Sequence, residues 1–187
     1  MEAALLATTL PLREVAIPNP ADELEQLFQA HHGMVFRTAY RITGNASDAE
    51  DVLQTVFLRL AGQHASPPPI ENSVSYMRRA AVNAALDVLR ARRGRDPEPL
   101  DPGFPEPPQP DRNVLQDCLR QSLAHLSPEA GEMFTLRFLE GYSYNEIAGM
   151  LGVSRVRVGV TLHRARRRLQ KEIRSYWEAG HGQPKQA

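Results

Sequence analysis

The chain has 187 residues with 22 Lys/Arg against 22 Asp/Glu, so its net charge is zero and bulk charge points to neither nucleic acid nor a membrane surface. Its 42% hydrophobic and 24% charged content is that of an ordinary globular protein, and 6% aromatics without alternating β-branched runs argue against a sheet fold and for an all-α one. The single cysteine, Cys118, excludes a disulfide within the chain and fits a reducing cytoplasm.

The first residues lack a basic segment, so no signal peptide is expected. No apolar run reaches the roughly 18 residues of a membrane span, so no membrane insertion is expected. Residues 1–20 hold Pro11, Pro18 and Pro20 without a clear period and read as a disordered extension. Asp22 is a cap for the first helix. Leu24, Leu27, Phe28, Val35 and Ala39 share roughly one face, Gly33 is a weak point, and the helix should stop near Gly44. Ser47 and Glu50 have capping-box spacing at the start of a second helix, with Asp48, Glu50 and Asp51 in its first turn, where negative charge complements the helix dipole. Its buried stripe is Ala49, Val52, Leu53, Val56 and Leu60. Asp48, Asp51 and Gln54 lie on the exposed face, with Phe57 and Leu58 near its edges.

Pro67, Pro68 and Pro69 make a loop. Helix resumes near Ser73 and runs to about Arg93 on a stripe of Val74, Met77, Ala81, Ala84 and Val88. Arg79, Asn83 and Arg90 share another face. Residues 96–111 carry seven prolines and five acids and no base, which rules out helix or sheet. At about 3.1 Å per residue such a segment spans roughly 50 Å, enough to hold two modules on separate parts of one duplex.

A second domain opens with an amphipathic helix through Val114, Leu115, Cys118, Leu119, Ser122 and Leu126, in which Cys118 is a buried apolar residue. Ser127 and Pro128 are a cap and first helical position for the next helix. That helix carries Met133, Phe134, Leu136, Phe138 and Leu139 and ends at Gly141. Then come a short apolar helix over 144–151, a turn at Gly152, and a long helix capped by Ser154. Two helices joined by a short Gly-containing turn form the helix-turn-helix pattern. The long helix buries Val158, Leu162, Ala165, Leu169 and Ile173. Residues 155–174 hold eight Lys/Arg against one acid. Arg157, Thr161, Arg164 and Arg168 form a neighbouring face. Arg155 and Arg157 sit in the first turn, where positive charge costs roughly 0.3–1 kcal/mol each. That misfit points to an anionic partner. None of the six histidines has partners at metal-ligand spacing, and no phosphate-binding glycine loop or nucleophile signature occurs, so neither an enzyme site, a metal nor a cofactor is expected.

Three blocks in order, RITGNASDAEDVLQTVFLRL, YMRRAAVNAALDVLRARRGR, and LSPEAGEMFTLRFLEGYSYNEIAGMLGVS followed by LHRARRRL, resemble a bacterial RNA polymerase sigma factor of the extracytoplasmic-function group over about residues 22–175. The resemblance implies two small helical domains joined by a Pro-rich flexible linker. It places region 2 at 21–95, the acidic linker at 96–112 and region 4 with the helix-turn-helix at 113–177, with a tail at 178–187. It implies that region 2 binds core RNA polymerase and opens the promoter −10 element, that region 4 reads the −35 element, and that the linker threads near the RNA exit path. By position, Asp48, Glu50, Asp51, Gln54 and Phe57 correspond to polymerase docking. Asn72, Tyr76, Arg79, Asn83, Arg90 and Arg93 correspond to the −10 contacts, with Asn72 and Tyr76 in place to hold a flipped base. Ser154, Arg155, Arg157, Thr161, Arg164 and Arg168 correspond to the −35 contacts. The family often has Trp where this chain has Tyr76, and its usual Thr-Val-Lys-Ser-Arg run appears here as Arg157-Val158-Gly159-Val160-Thr161. An anti-sigma protein is a further partner such factors commonly have. A stand-alone helix-turn-helix regulator would share the Arg-rich helix, but leaves the acidic helix at Asp48 and the basic one at Arg79 unexplained.

Overall fold

The structure is a computed structural model that describes residues 20–62, 73–92 and 112–178. Among the described residues there are seven helices: α1 (Pro20–Thr43), α2 (Ala46–Gly62), α3 (Ser73–Arg92), α4 (Arg112–Ala124), α5 (Pro128–Phe138), α6 (Tyr144–Leu151) and α7 (Arg155–Glu178). The N-terminal extension, most of the loop before α3, the acidic linker and the C-terminal tail fall outside them.

α1 begins at Pro20, two residues before the expected cap. Proline fits the first turn, where its missing N–H breaks no helical bond. Asp22 and Glu23 lie inside that turn, facing the helix dipole. α1 stops where expected: Gly44 takes the left-handed φ of 72°, and its N–H bonds to the Tyr40 carbonyl at 2.8 Å. The next cap differs from expectation. Asn45 Oδ1, not Ser47, accepts the Asp48 N–H at 3.1 Å, because α2 already begins at Ala46. Asn45→Ala is therefore expected to cost about 1 kcal/mol, and Ser47→Ala, at an exposed helical position, less than about 0.5 kcal/mol. Thermal melts of the two variants check this, and equal losses would restore Ser47 as the cap.

α1, α2 and α3 pack together around Val35, Ala39, Ile42, Val52, Val56, Met77 and Ala81, all nearly inaccessible. α4 to α7 pack around Cys118, Leu123, Met133, Leu136, Ile147, Val158 and Leu162. Cys118 is a buried free thiol whose pKa is pushed up by burial, as an apolar role requires. The expected stripes of α2 and α7 face these cores, with Leu53 and Ile173 half-buried at their edges. Val74 on α3 and Leu115 on α4 do not, being 48% and 52% exposed.

The two bundles are not separate beads. α3 also packs on α4 and α5, and one continuous apolar core runs through both bundles. The reason lies in α3, which buries Val82, Ala85, Leu86 and Leu89 besides its expected Met77, Ala81 and Ala84. A helix apolar on two faces needs cover on both, and α1 and α2 supply only one. Gly131 of α5 makes the approach close: a Cβ there would stand 3.3 Å from both Leu86 Cδ1 and Arg90 Nη2.

Candidate nucleic-acid interface

The helix-turn-helix is set by local chemistry. Ser143 caps α6 in a full capping box: its Oγ accepts the Glu146 N–H, and Glu146 Oε2 accepts the Ser143 N–H at 2.7 Å. Hydrogen bonding to its carboxyl from the Ser143 side chain and then from the Ser143 backbone holds Glu146 below its ordinary pKa. The Ser-x-x-Glu spacing of residues 143–146 is the sequence signal for this box. Gly152, at φ 65°, turns the chain, and Ser154 Oγ accepts the Arg157 N–H at 3.2 Å to start α7. Ile147 is the fully buried side chain of α6 and ties it to the bundle.

α7 then shows two sides. Val158, Leu162, Ala165 and Leu169 are at most 3% exposed. Arg155, Val156, Arg157, Val160 and Arg164 face solvent, and Thr161 is half-buried. Arg155 lines an open groove of about 340 Å³ with Arg137, Ser143, Tyr144 and Asn145, and the Arg137 guanidinium lies 5.4 Å over the Tyr144 ring. Arg157 pairs with Glu129 at 2.8 Å, and Arg168 with Glu172 at 3.1 Å. Both arginines are solvent-exposed, so neither pair contributes much to stability. A phosphate or base edge can take either arginine from its partner. Val156, 75% exposed, and Val160, 44% exposed, were not among the expected contacts. Their signal was present: two β-branched residues four apart, off the buried stripe of a helix they do not favour.

On α3, Tyr76, Arg79 and Asn83 come together, while Arg90, expected on the face of Arg79 and Asn83, does not join them. With Val56, Arg59 and Ala80 they line a groove of about 310 Å³. Their surroundings depart from expectation, since the second bundle lies against this face. Arg79 Nε donates to Glu132 Oε1 at 2.8 Å and Asn83 Nδ2 to the same oxygen at 3.1 Å. Arg90 pairs with Asp87 at 2.9 Å, and its Nη2 is buried beside Gly131 without a hydrogen-bond partner. Asn72 and Arg93 lie outside the described residues.

On α2 the exposed set is narrower than expected. Glu50, Asp51 and Gln54 are exposed, as is Leu58 at 70%. Asp51, Gln54 and Leu58 share a face by helical spacing. Asp48 is not on it. Its residue is 7% exposed and its carboxylate accepts from Arg92 of α3, while burial pushes its pKa up against the pull of that guanidinium. Phe57 is also turned inward, 8% exposed, its ring meeting that of Phe28 edge-on at 4.9 Å. Both corrections have one cause: α1 and α3 flank α2, and the positions at the edge of its stripe are covered by them.

No group of three or more His, Cys, Asp or Glu among the described residues is placed to hold a metal ion. No described helix is long and apolar enough to cross a membrane.

Residues 27–95 match the Sigma-70 region 2 model, and residues 116–169 match Sigma-70, region 4. The chain is 31% identical to the RNA polymerase sigma-E factor of Streptomyces coelicolor, over 81% of this chain and 86% of that one. It is 35% identical to the ECF RNA polymerase sigma factor SigE of Mycolicibacterium smegmatis, over 78% of this chain but 60% of that relative's length. The solved structure of CnrH in complex with the cytosolic domain of CnrY shares the fold, with a TM-score of 0.50 at 23% identity over 83% of this chain and 90% of that one. Two sigma regions in the family's order, together with these relatives, make this chain a member of the extracytoplasmic-function group of RNA polymerase sigma factors.

Proposed function

We propose that this chain docks on core RNA polymerase through the Asp51, Gln54 and Leu58 face of α2 and directs promoter-specific initiation with two separate grips. The α3 groove of Tyr76, Arg79 and Asn83 takes the −10 strand, and Asn72, Arg90 and Arg93 join these contacts by their positions in the sequence alone. The outward face of α7, headed by Ser154 and carrying Arg155, Arg157, Thr161, Arg164 and Arg168, enters the major groove of the −35 element. The observation that carries this reading is the division of α7: one side buried, the other presenting exposed arginines and two exposed valines. The chain is read as a non-catalytic subunit of the cytoplasm, where it finds polymerase, DNA and an anti-sigma protein that restrains it. CnrH, the structural neighbour, was solved with the cytosolic domain of CnrY.

Run-off transcription with purified core enzyme tests the function. A promoter-dependent transcript that requires this protein supports it. Tight duplex binding without any such transcript favours the stand-alone regulator instead.

Val156 and Val160 sharpen the −35 reading. Apolar side chains in the major groove recognise the thymine C5-methyl group. A −35 element selected from random DNA by the polymerase-bound protein is expected to contain thymines whose replacement by deoxyuridine weakens binding roughly fourfold per methyl, about 0.8 kcal/mol each. Val156→Ala with Val160→Ala should erase that difference. A thymine effect that survives both substitutions assigns it to other residues.

A further inference from the structure

Residues 155–174 of α7 hold a single acid, Glu172, among eight Lys/Arg. The fold gives that acid two partners. Arg168, one turn before it on α7, donates from Nε to Glu172 Oε1 at 3.1 Å. His125, in the turn after α4, donates from Nδ1 to Glu172 Oε2 at 2.9 Å. An ionised carboxylate only accepts, so Nδ1 carries its proton whether the ring is neutral or charged. Protonation therefore adds charge at Nε2 and leaves this contact in place. The turn itself is fixed by the His125 N–H bond to the Ser122 carbonyl and by the Ser127 cap of α5.

The charges facing His125 from other elements have partners of their own. It shares a cavity with the uncharged Thr43 of α1, with Arg92 of α3, and with Asp117 and Arg120 of α4. Arg92 is paired with Asp48 and Arg120 with Asp117, which leaves Glu172 as the carboxylate on the imidazole. Cys118 of α4 senses the same carboxylate. Burial raises the pKa of that thiol and the charge of Glu172 adds to the rise, against a hydrogen bond with Ser122, so it stays protonated through the histidine range.

Arg168 stands roughly 20 Å along α7 from Arg155, at about 1.5 Å per residue. That is beyond the roughly 12 Å width of a major groove, so its guanidinium is placed for a backbone phosphate rather than a base. Its hold on Glu172 is weak: the side chain is 57% exposed, and an arginine N-terminal to its acid is the less favourable order on a helix. With a neutral His125, Glu172 keeps its full negative charge, holds Arg168 and repels phosphate. With a charged His125, that negative charge is neutralised locally. We propose that His125 and Glu172 are positioning residues for Arg168, and that protonation of His125 frees Arg168 for a −35 phosphate, so that the −35 grip tightens as pH falls. The gain is present below the histidine range and is lost as pH rises through it. The inference rests on the reading that Arg168 meets −35 DNA.

The test uses the full chain bound to core polymerase and a fluorescent duplex carrying the selected −35 element, with affinity measured at about pH 6 and about pH 8. Wild type and His125→Gln are expected to bind alike at the higher pH, and wild type about threefold tighter at the lower one. His163, exposed on α7, and the polymerase's own groups titrate in both proteins, so the ratio isolates His125. Glu172→Gln should bind at the higher pH as tightly as wild type does at the lower, and should lose the difference between them. Arg168→Ala should bind weakly at both and flatten the slope of log affinity on log salt by about 0.9. A His125→Gln protein weakened equally at both pH values has lost only structure, and that result overturns the relay, as does a pH response equal to that of wild type. Should His125→Gln fail to fold, Glu172→Gln carries the test, and its binding no tighter than wild type at the higher pH overturns the relay. An Arg168→Ala protein with unchanged affinity and salt slope removes Arg168 from the DNA face altogether, while run-off transcription reports independently on the sigma function.

Discussion

Ile147→Ala is expected to cost about 2–5 kcal/mol of stability and to abolish −35 recognition. α6 has eight residues, below the roughly 12–15 at which an isolated helix becomes even marginal in water, so it exists because it is docked. Its docking side chain is Ile147, at 0% exposure; Ala148, Met150 and Leu151 are only half-buried around it. The capping box at Ser143 and the left-handed Gly152 fix where α6 starts and stops, but not where it lies. Once the anchor is lost, the turn that aims α7 loses its support, while α7 keeps its own buried stripe. Denaturant unfolding of the full chain and footprinting of the polymerase-bound protein on a selected promoter read the two effects. A loss below about 1 kcal/mol with an intact −35 footprint would show that the caps alone hold the motif.

The second large effect is functional rather than structural. Leu58→Arg should weaken binding to core polymerase more than tenfold and leave the melting temperature unchanged. Leu58 is 70% exposed, so the free protein loses no packing. Burying a leucine at an interface is worth about 1.5–3 kcal/mol, and replacing it by a charge forfeits that and adds a desolvation cost. Phe57, its neighbour in sequence, makes the opposite prediction. Phe57→Ala should destabilise the fold by about 3–5 kcal/mol, because its ring is 8% exposed and packed on Phe28. Polymerase binding titrations and thermal melts of both variants separate the roles. Undiminished polymerase affinity in Leu58→Arg would move the docking surface away from this face of α2.

The contrast between Phe57 and Leu58 shows why edge positions were hard to assign. Helical periodicity places both beside the buried stripe, and one residue of rotation about the axis is about 100°. Which edge is covered depends on where α1 and α3 lie. Asp48 follows the same logic. In sequence it is one of three acids in a first turn; in the fold it lies under Arg92 of α3. Asn45 outcompeted Ser47 as the cap because Gly44 ends α1 directly before it and α2 begins directly after it, at Ala46.

Much of the protein was determined by local chemistry that the sequence carries in full. The stop at Gly44, the Ser127-Pro128 start of α5, the turn at Gly152 and the Ser154 cap of α7 are each set by a few adjacent residues, and the structure has them where spacing puts them. The buried stripe of α7 is periodic, so it too was legible. What only the tertiary structure decided is the partner of each charge. Glu132 and Glu140 carry no mark in sequence that separates them from other surface acids. They lie 53 and 62 residues from Arg79 and Arg78, the arginines they hold. Such pairs form only when α3, apolar on two faces, draws the second bundle against the first. Long-range contacts depend on how whole elements pack, and that packing turns the expected DNA-reading face of α3 toward the protein's own carboxylates.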